Sequence, residues 1–352
     1  MGEIKFMKGN EALAEAAIRA GLQGYFGYPI TPQSEVIEYL AIEEPKHDYV
    51  LLQAESEVAS INMVYGAGGA GARTMTTTSS PGYSLMQEGV SYIACAEIPC
   101  VVVNVVRGGP GLGTIQPSQG DYFQAVKGGG HGDYRLIVLA PNSVQEMADH
   151  TRMAFDLADK YRNPVLILSD GAIGQMMEKV DMPDPIKPNV DKPWATVGKK
   201  PGKDRNYITS LYIKSEDMER KNKHLQAKYK EIEENELLTE EYKMEDAEVV
   251  AMAFGLSSRI TKKTVDLARE AGIKMGLLRP ITLWPFPSQR IAELAAKDSV
   301  KFFFSMEMNV GQMVEDIKLA VNGKKPVHYY GRVGGIIPTP EEVLEFAKQH
   351  IK

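Results

Sequence analysis

Cys100-Val-Val-Val-Asn-Val-Val-Arg-Gly-Gly-Pro-Gly-Leu-Gly113 decides the fold. Its first seven residues form an apolar run, the mark of a strand buried on both faces in a parallel sheet. The run ends on an arginine and a glycine-rich loop, so the strand carries a cation to one sheet edge. Shorter runs recur around it at Gly24 to Tyr28, Tyr49 to Leu52, Met75 to Thr78, Arg135 to Leu139 and Val165 to Leu168. Helix signals lie between them. Thr31-Pro32 reads as an N-cap followed by proline at the first helical position. A helix rich in small residues is expected from Glu57, and another after Ser79-Ser80-Pro81-Gly82. Ser143-Val-Gln-Glu146 reads as a capping box that starts a long helix. This alternation predicts an α/β fold with a parallel sheet covered on both sides.

The pattern breaks after residue 185. Residues 186–245 begin with proline-rich, linker-like sequence. Glu216 to Tyr242 is highly charged, with Leu225, Tyr229 and Ile232 at helical spacing. That spacing predicts an exposed amphipathic helix, a solvated connector or a docking element. Residues 246–352 resume the α/β pattern, with strands expected at Ala247 to Ala253, Lys301 to Met306 and Val327 to Tyr330. The expected division is therefore 1–185, a linker of 186–245, and 246–352.

Composition narrows the function. The chain has 352 residues, 43% hydrophobic and 24% charged, with a formal net charge of -6. That balance argues against nucleic acid, which needs a basic face. The apolar runs are too short to cross a bilayer, and the N-terminus lacks an apolar signal region, so a cytoplasmic location is expected. Cys95 and Cys100 are the only cysteines. Two thiols fall short of the roughly four thiolates that a four-iron cluster needs.

Ligands of open parallel sheets sit beyond the carboxyl ends of the strands. That rule selects Tyr28-Pro29-Ile30-Thr31-Pro32, then Glu55 and Glu57, then Thr78-Ser79-Ser80, and finally Arg107 with its glycine loop. A hydroxyl, a carboxylate and a guanidinium converging there suit an anionic substrate and a proton relay. Each residue also has a plainer reading. Thr31 serves as a helix cap, and Glu55 and Glu57 as first-turn acids favoured by the helix dipole. His131 in Gly-Gly-Gly-His-Gly-Asp133 lines a pocket or sits in a loop. Arg107 must find a carboxylate or a water-filled cleft, because a lone guanidinium is costly to bury. Ser169-Asp170-Gly171 approximates the Gly-Asp-Gly of thiamine diphosphate sites. It lacks the first glycine and the asparagine pair expected some thirty residues on, so the chain is not expected to hold the diphosphate or its metal.

Tyr28-Pro-Ile-Thr-Pro-Gln-Ser34, Glu55-Ser-Glu57 with Gly66-Ala67, and Arg107-Gly-Gly-Pro-Gly resemble the first domain of the 2-oxoacid:ferredoxin oxidoreductases. Leu278-Arg-Pro-Ile-Thr-Leu-Trp-Pro-Phe-Pro287 and Glu307-Met-Asn-Val-Gly-Gln312 resemble that family's transketolase C-terminal-like domain. The resemblance implies a pyrimidine-type thiamine-diphosphate-binding fold followed by that second domain. It also implies an active site split between subunits. A beta-type partner would hold the diphosphate, magnesium and iron–sulfur clusters, alongside gamma-type and ferredoxin-like delta-type subunits. Glu57 matches the glutamate that bonds N1′ of the aminopyrimidine, which promotes loss of the thiazolium C2 proton. Thr31 matches a pocket hydroxyl, and Arg107 the arginine that pairs with the substrate carboxylate. Pro29, Ile30, Ser79 and Ser80 would line the cofactor with Glu57, and no metal ligand is expected in this chain.

The same resemblance implies oxidative decarboxylation of a 2-oxo acid, with coenzyme A taking the acyl group and ferredoxin the electrons. The loops at 107–115 and 127–135 and the connector at 222–230 look most like the branched-chain type, which acts on 3-methyl-2-oxobutanoate. The 2-oxoglutarate type is the alternative, and would need a second cation such as Arg73 or His131. A non-catalytic scaffold subunit is the alternative from another class.

Overall fold

The computed structural model describes residues 3–351 apart from 189, 200 and 203. Its seven-stranded sheet runs in the order 282–284, 137–139, 164–170, 100–106, 74–78, 24–27, 50–53. All pairings are parallel except the first, where Thr282 pairs antiparallel with Leu139. Cys100–Val106 lies between two parallel neighbours and every residue of it is buried. Burial pushes the Cys100 thiol up to about 12, so it is an inert core group rather than a ligand.

Strand Gly24–Gly27 has the next strand in sequence, Val50–Gln53, on one side and Thr74–Thr78 on the other. Strand order reverses at that point. The loops leaving these strands therefore part and open a crevice, where open α/β sheets bind ligands.

A second sheet runs 327–331, 302–307, 249–252, 275–280, 239–242, with only the last pairing antiparallel. A two-stranded antiparallel ribbon joins Glu3–Lys8 to Met177–Met182.

Several sequence expectations need correction. Thr31 does not cap a helix. The chain makes a turn closed by the Gln33 N–H on Ile30 O at 3.0 Å, and the helix begins at Ser34. The charged segment is helical only over Ser215–Asn235. Its end, Thr239–Tyr242, pairs as a strand with 275–280. Leu225, Tyr229 and Ile232 are buried, and Tyr229 meets the Trp284 ring edge-on at 5.8 Å. Lys228 also donates to Arg162 O at 3.2 Å and to Glu97 at 3.3 Å. Burial opposes ionisation of Glu97, but bonds from Lys221, Lys228 and His224 hold its carboxyl down at about 2. The connector helix is thus docked by an apolar stripe and an ionic lock. The capping box at Ser143 is half formed. Ser143 Oγ accepts from Glu146 N at 3.1 Å, whereas Glu146 Oε2 accepts from Asn142 N.

Glu146 has a second role. Arg279, fully buried, donates to Glu146 Oε1 at 2.9 Å, Glu240 Oε2 at 3.0 Å and Ala140 O at 3.1 Å. This network ties the second sheet to the first. Gln119 adds a polar joint. Its side chain donates to Phe254 O at 2.8 Å and accepts from Ser257 Oγ at 2.6 Å and Met308 N at 3.0 Å. Glu307 accepts from Met313 N at 2.8 Å, Val314 N at 2.9 Å and Gln312 N at 3.1 Å. The Glu307–Gln312 stretch is therefore a helix cap and joint, with its carboxylate fully used.

His150 sits in the same region, buried, with Nδ1 unpartnered. Burial, aided by Arg279 and opposed by Glu146, lowers its pKa from 6.5 to about 4. The folded chain therefore resists binding a proton that the unfolded chain accepts. The stability linked to this group is complete above pH 6.5 and disappears as the pH falls through 4, a change of about 3 kcal/mol. Removing the imidazole by His150→Leu is expected to flatten the stability–pH curve by that amount over this window. An equal fall of the urea midpoint with pH in both proteins would refute the assignment.

Candidate active site

The four loops selected from the sequence meet at the carboxyl edge of the seven-stranded sheet. The loop after Gly24–Gly27 is held from below by a buried hydrogen-bond chain. Thr77 Oγ1 donates to Gln33 Oε1 at 2.5 Å. That uses its single proton, so Tyr25 OH must donate to Thr77 Oγ1, 2.7 Å away. Gln33 Nε2 then donates to Tyr28 O at 3.2 Å, and Asn10 Nδ2 to Pro32 O at 2.8 Å. With its carbonyls pinned at both ends, the loop leaves Tyr28, Pro29 and Thr31 exposed and Ile30 half-buried.

Glu55 and Glu57 separate cleanly. Glu55 precedes the helix and is exposed, whereas Glu57 is the first residue of helix Glu57–Gly69 and only 5% exposed. Ser56 caps that helix by accepting from Ala59 N at 3.2 Å. The Glu57 carboxylate makes no hydrogen bond or ion pair with any described residue. Gly82, at the start of helix Ser80–Ala96, leaves it room. A Cβ at Gly82 would lie 2.4 Å from Glu57 Oε1 and 2.2 Å from Thr78 Oγ1. Only glycine fits there without moving the carboxylate.

Arg107 is buried and has no ion pair among the described residues. Its Nη1 donates to the carbonyl of Thr31 at 3.0 Å, and Nε is buried without a partner. Its backbone N–H donates to Ser80 Oγ at 3.0 Å. Ser80 N donates to Asn104 Oδ1 at 2.9 Å, and Asn104 Nδ2 to Asp121 Oδ2 at 2.8 Å. Burial raises the Asp121 pKa, partly offset by bonds from Ser80 and Asn104. Thr78 Oγ1 and Ser79 Oγ are buried with no partner.

Two other candidates lie elsewhere. Arg73 is held by Asp159 at 2.7 Å, Asp156 at 2.9 Å and Ala20 O at 2.7 Å, at the start of its strand rather than the end. His131 is exposed in a loop, its Nδ1 3.5 Å from Ser91 Oγ. Asp170 is a cap for the short helix Gly171–Gln175, accepting from Ala172 N at 2.9 Å and Ile173 N at 3.2 Å. Complete burial raises its pKa to about 6 despite these bonds. Among the described residues, no group of three or more His, Cys, Asp or Glu is arranged to hold a metal ion.

Sequence reasoning missed Gln33, Asn104 and Gly82. Asn104 had a readable signal, since a lone amide in an apolar strand must find buried partners. Gln33 had none, because its role depends on Thr77 of another strand. We expect Gln33→Leu to loosen the loop that carries the Thr31 carbonyl and so misaim Arg107. The expected result is a rise in KM for an anionic substrate of about tenfold, with kcat changed less. Equal losses in kcat and kcat/KM would argue against a positioning role.

A buried carboxylate without a partner and a buried guanidinium without an ion pair among the described residues thus lie at the same sheet edge, with the orphaned Thr78 and Ser79 hydroxyls. A carboxylate acceptor suits the edge of an aminopyrimidine, and a guanidinium donor the carboxylate of a small acid.

Known proteins resemble this chain over nearly its whole length. Residues 15–249 match the family described as pyruvate flavodoxin/ferredoxin oxidoreductase, thiamine diphosphate-binding. Residues 247–343 match pyruvate:ferredoxin oxidoreductase core domain II. The ketoisovalerate oxidoreductase subunit VorB of Methanothermobacter marburgensis is 52% identical over 341 residues, covering 97% of this chain and 96% of that protein. The 2-oxoglutarate synthase subunit KorA of Methanocaldococcus jannaschii is 39% identical over 365 residues, covering 97% and 98%. Among solved structures, the 2-oxoglutarate:ferredoxin oxidoreductase of Magnetococcus marinus, with 2-oxoglutarate, coenzyme A and succinyl-CoA bound, superposes with a TM-score of 0.86 at 30% identity. It covers all of this chain and 66% of that one. A split-gene transketolase, at 12% identity with a TM-score of 0.60, shares the fold over 98% of both chains.

Proposed function

The chain belongs to the pyruvate flavodoxin/ferredoxin oxidoreductase family, and we propose that it is the alpha-type subunit of a thiamine-diphosphate-dependent 2-oxoacid:ferredoxin oxidoreductase acting on 3-methyl-2-oxobutanoate. The observation that carries the reading is that the Glu57 carboxylate, without a hydrogen-bond partner, and the Arg107 guanidinium, without an ion pair, both lie buried at the carboxyl edge of one sheet among the described residues. The enzyme decarboxylates a 2-oxo acid oxidatively, passes the acyl group to coenzyme A and the electrons to ferredoxin. Thiamine diphosphate, when bound, supplies the nucleophilic carbon and the electron sink.

In this reading Glu57 is the proton-handling residue. Its Oε1, beside Gly82, would exchange one proton with the aminopyrimidine edge of the bound cofactor. Burial keeps water from competing for that proton. Arg107 binds the substrate carboxylate, and the low dielectric around it strengthens the charge-assisted bond. Its bond to the Thr31 carbonyl fixes the guanidinium, and the exposed Thr31 hydroxyl orients the 2-oxo acid. Pro29, Ile30, Ser79 and Ser80 shape the cofactor-facing wall. The diphosphate, its magnesium and the iron–sulfur clusters fall to a beta-type partner, with gamma-type and ferredoxin-like delta-type subunits completing the complex. Residues 1–185 face the cofactor, 186–245 connect, and 246–352 brace the site through Gln119 and Arg279.

The branched-chain substrate is favoured over 2-oxoglutarate by the charges at the crevice. A dicarboxylate calls for a second cation, and the two candidates are occupied or remote, Arg73 by two aspartates and His131 on an exposed loop. A substrate panel on the assembled complex tests this. Ferredoxin or viologen reduction should be fastest with branched 2-oxo acids. A clear preference for 2-oxoglutarate would overturn the substrate assignment but not the reaction class.

A further inference from the structure

Asp121 stands at the N-cap of the short helix Tyr122–Val126 yet makes no capping bond there, although aspartate is among the best caps. Its Oδ2 instead accepts from Asn104 Nδ2 at 2.8 Å. Asn104 is equally out of place, the one amide in the apolar strand Cys100–Val106. Each residue gives up a local preference to bond the other, as happens at functional junctions. Beyond Asn104 the bonds continue. Its Oδ1 accepts from Ser80 N at 2.9 Å, and Ser80 Oγ accepts from Arg107 N at 3.0 Å. The chain Asp121–Asn104–Ser80 thus ends on the backbone of Arg107. A second route ends there too. Arg107 and Pro117 form an isolated antiparallel bridge, and Gly108 N donates to Gln116 O at 3.0 Å, which closes the glycine loop at its neck. Both routes start from residues 117–121.

The second domain holds that segment. Ser118 Oγ and Gln119 N donate to Met308 O at 3.2 and 2.9 Å. Asn309 Nδ2 donates to Gln119 O at 2.9 Å. Gln312 brackets Asp121, with Nε2 donating to Gly120 O at 2.7 Å and Oε1 accepting from Phe123 N at 2.8 Å. The loop that presents these side chains is tied to itself. Asn309 Oδ1 accepts from Gly311 N at 2.7 Å and from Gln312 N at 3.2 Å. Gly311 has a φ of 95°, which glycine adopts without strain. Two amides on a fixed loop of one domain therefore set the backbone that carries a buried guanidinium in the other.

We propose that Asn309 and Gln312 are positioning residues for the 2-oxo acid. They fix Ser118–Phe123 and, through Asp121, Asn104 and Ser80, aim Arg107 at the substrate carboxylate. Gln33 holds the tip of that side chain through Thr31, and this relay holds its base. The proposal rests on the reading that Arg107 binds the carboxylate. Gln312→Leu tests it in the co-expressed complex, by viologen reduction with 3-methyl-2-oxobutanoate and coenzyme A. KM for the 2-oxo acid should rise about tenfold, since misplacing a positioned group by about 1 Å costs up to about 100-fold. Both kcat and KM for coenzyme A should change by less than about threefold. Gln312→Glu keeps the bond from Phe123 N and loses the donor to Gly120 O, so its KM should fall between. It decides by the same split if the leucine variant does not assemble. Arg259→Met is the control. Its guanidinium crosses the same domain junction to Asn142 O at 3.1 Å and Glu178 Oε1 at 2.9 Å, without touching residues 117–121, so its KM should match wild type. Equal rises in Arg259→Met, or parallel rises in both KM values, would overturn the proposal. Arg107→Ala separates the two possible failures. If alanine leaves KM for the 2-oxo acid unmoved, the role of Arg107 falls and the proposal with it. If alanine raises KM and the Gln312 variants do not, the proposal falls alone.

Discussion

Glu57→Gln in the assembled complex is expected to lower kcat by about 10²–10⁴-fold, the range that a positioned acid–base group supplies. Glutamine keeps the volume and hydrogen-bonding reach but removes the exchangeable proton. KM for the 2-oxo acid should hardly move, because the substrate carboxylate is assigned to Arg107. The thermal stability should not fall either. The carboxylate makes no bond within the chain, so nothing is lost, and a buried charge is relieved. Steady-state kinetics and a melting curve on one preparation decide the matter. Near-normal turnover would demote the chain to a scaffold. A large drop in melting point would mean that Glu57 is structural. Gly82→Ala is a companion, because its Cβ would intrude to 2.4 Å from Glu57 Oε1 and misplace a carboxylate that is still present.

The largest effect on stability is expected at Arg279. Arg279→Leu leaves Glu146 and Glu240 without their shared cation and Ala140 O without its donor. Removing one partner of a buried ionic network typically costs about 3–5 kcal/mol. The loss should register as a lower urea midpoint with an unchanged slope. A change below about 1 kcal/mol, the scale of a surface pair, would show that the network is solvated. Arg279→Lys should recover only part of the loss, since an ammonium lacks the fork that reaches two carboxylates and a carbonyl.

Much of this was legible in the sequence, for reasons that differ from element to element. Cys100–Val106 was readable because a strand buried on both faces has little choice of side chain. The candidate edge followed from it by the topology rule alone. The turn at Thr31-Pro32 was misread because local propensity favours a cap there, whereas Gln33 and Asn10 pin the loop from elsewhere in the fold. Glu55 and Glu57 both read as acids at the start of a helix, and the fold separates them by burying Glu57, the first helical residue, where Gly82 leaves it room. Thr239–Tyr242 continued a charged helical pattern, and pairing with strand 275–280 overrode it. The Glu307–Gln312 stretch resembled a family motif, but its carboxylate serves helix ends rather than chemistry.

The short strand Thr282–Trp284 has a consequence for how the protein is made. It covers the edge of Ile137–Leu139, in a sheet otherwise built from the first 170 residues. At roughly 5–20 residues per second, a ribosome needs on the order of 10–30 s to reach it after passing that edge. For that interval the nascent first sheet displays an apolar border with open backbone groups, a template for mispairing. A gene cut after the first half would make that exposure permanent. The chain's two halves are thus separable on paper but bound to a common birth, and truncation should yield aggregate where full-length synthesis yields protein.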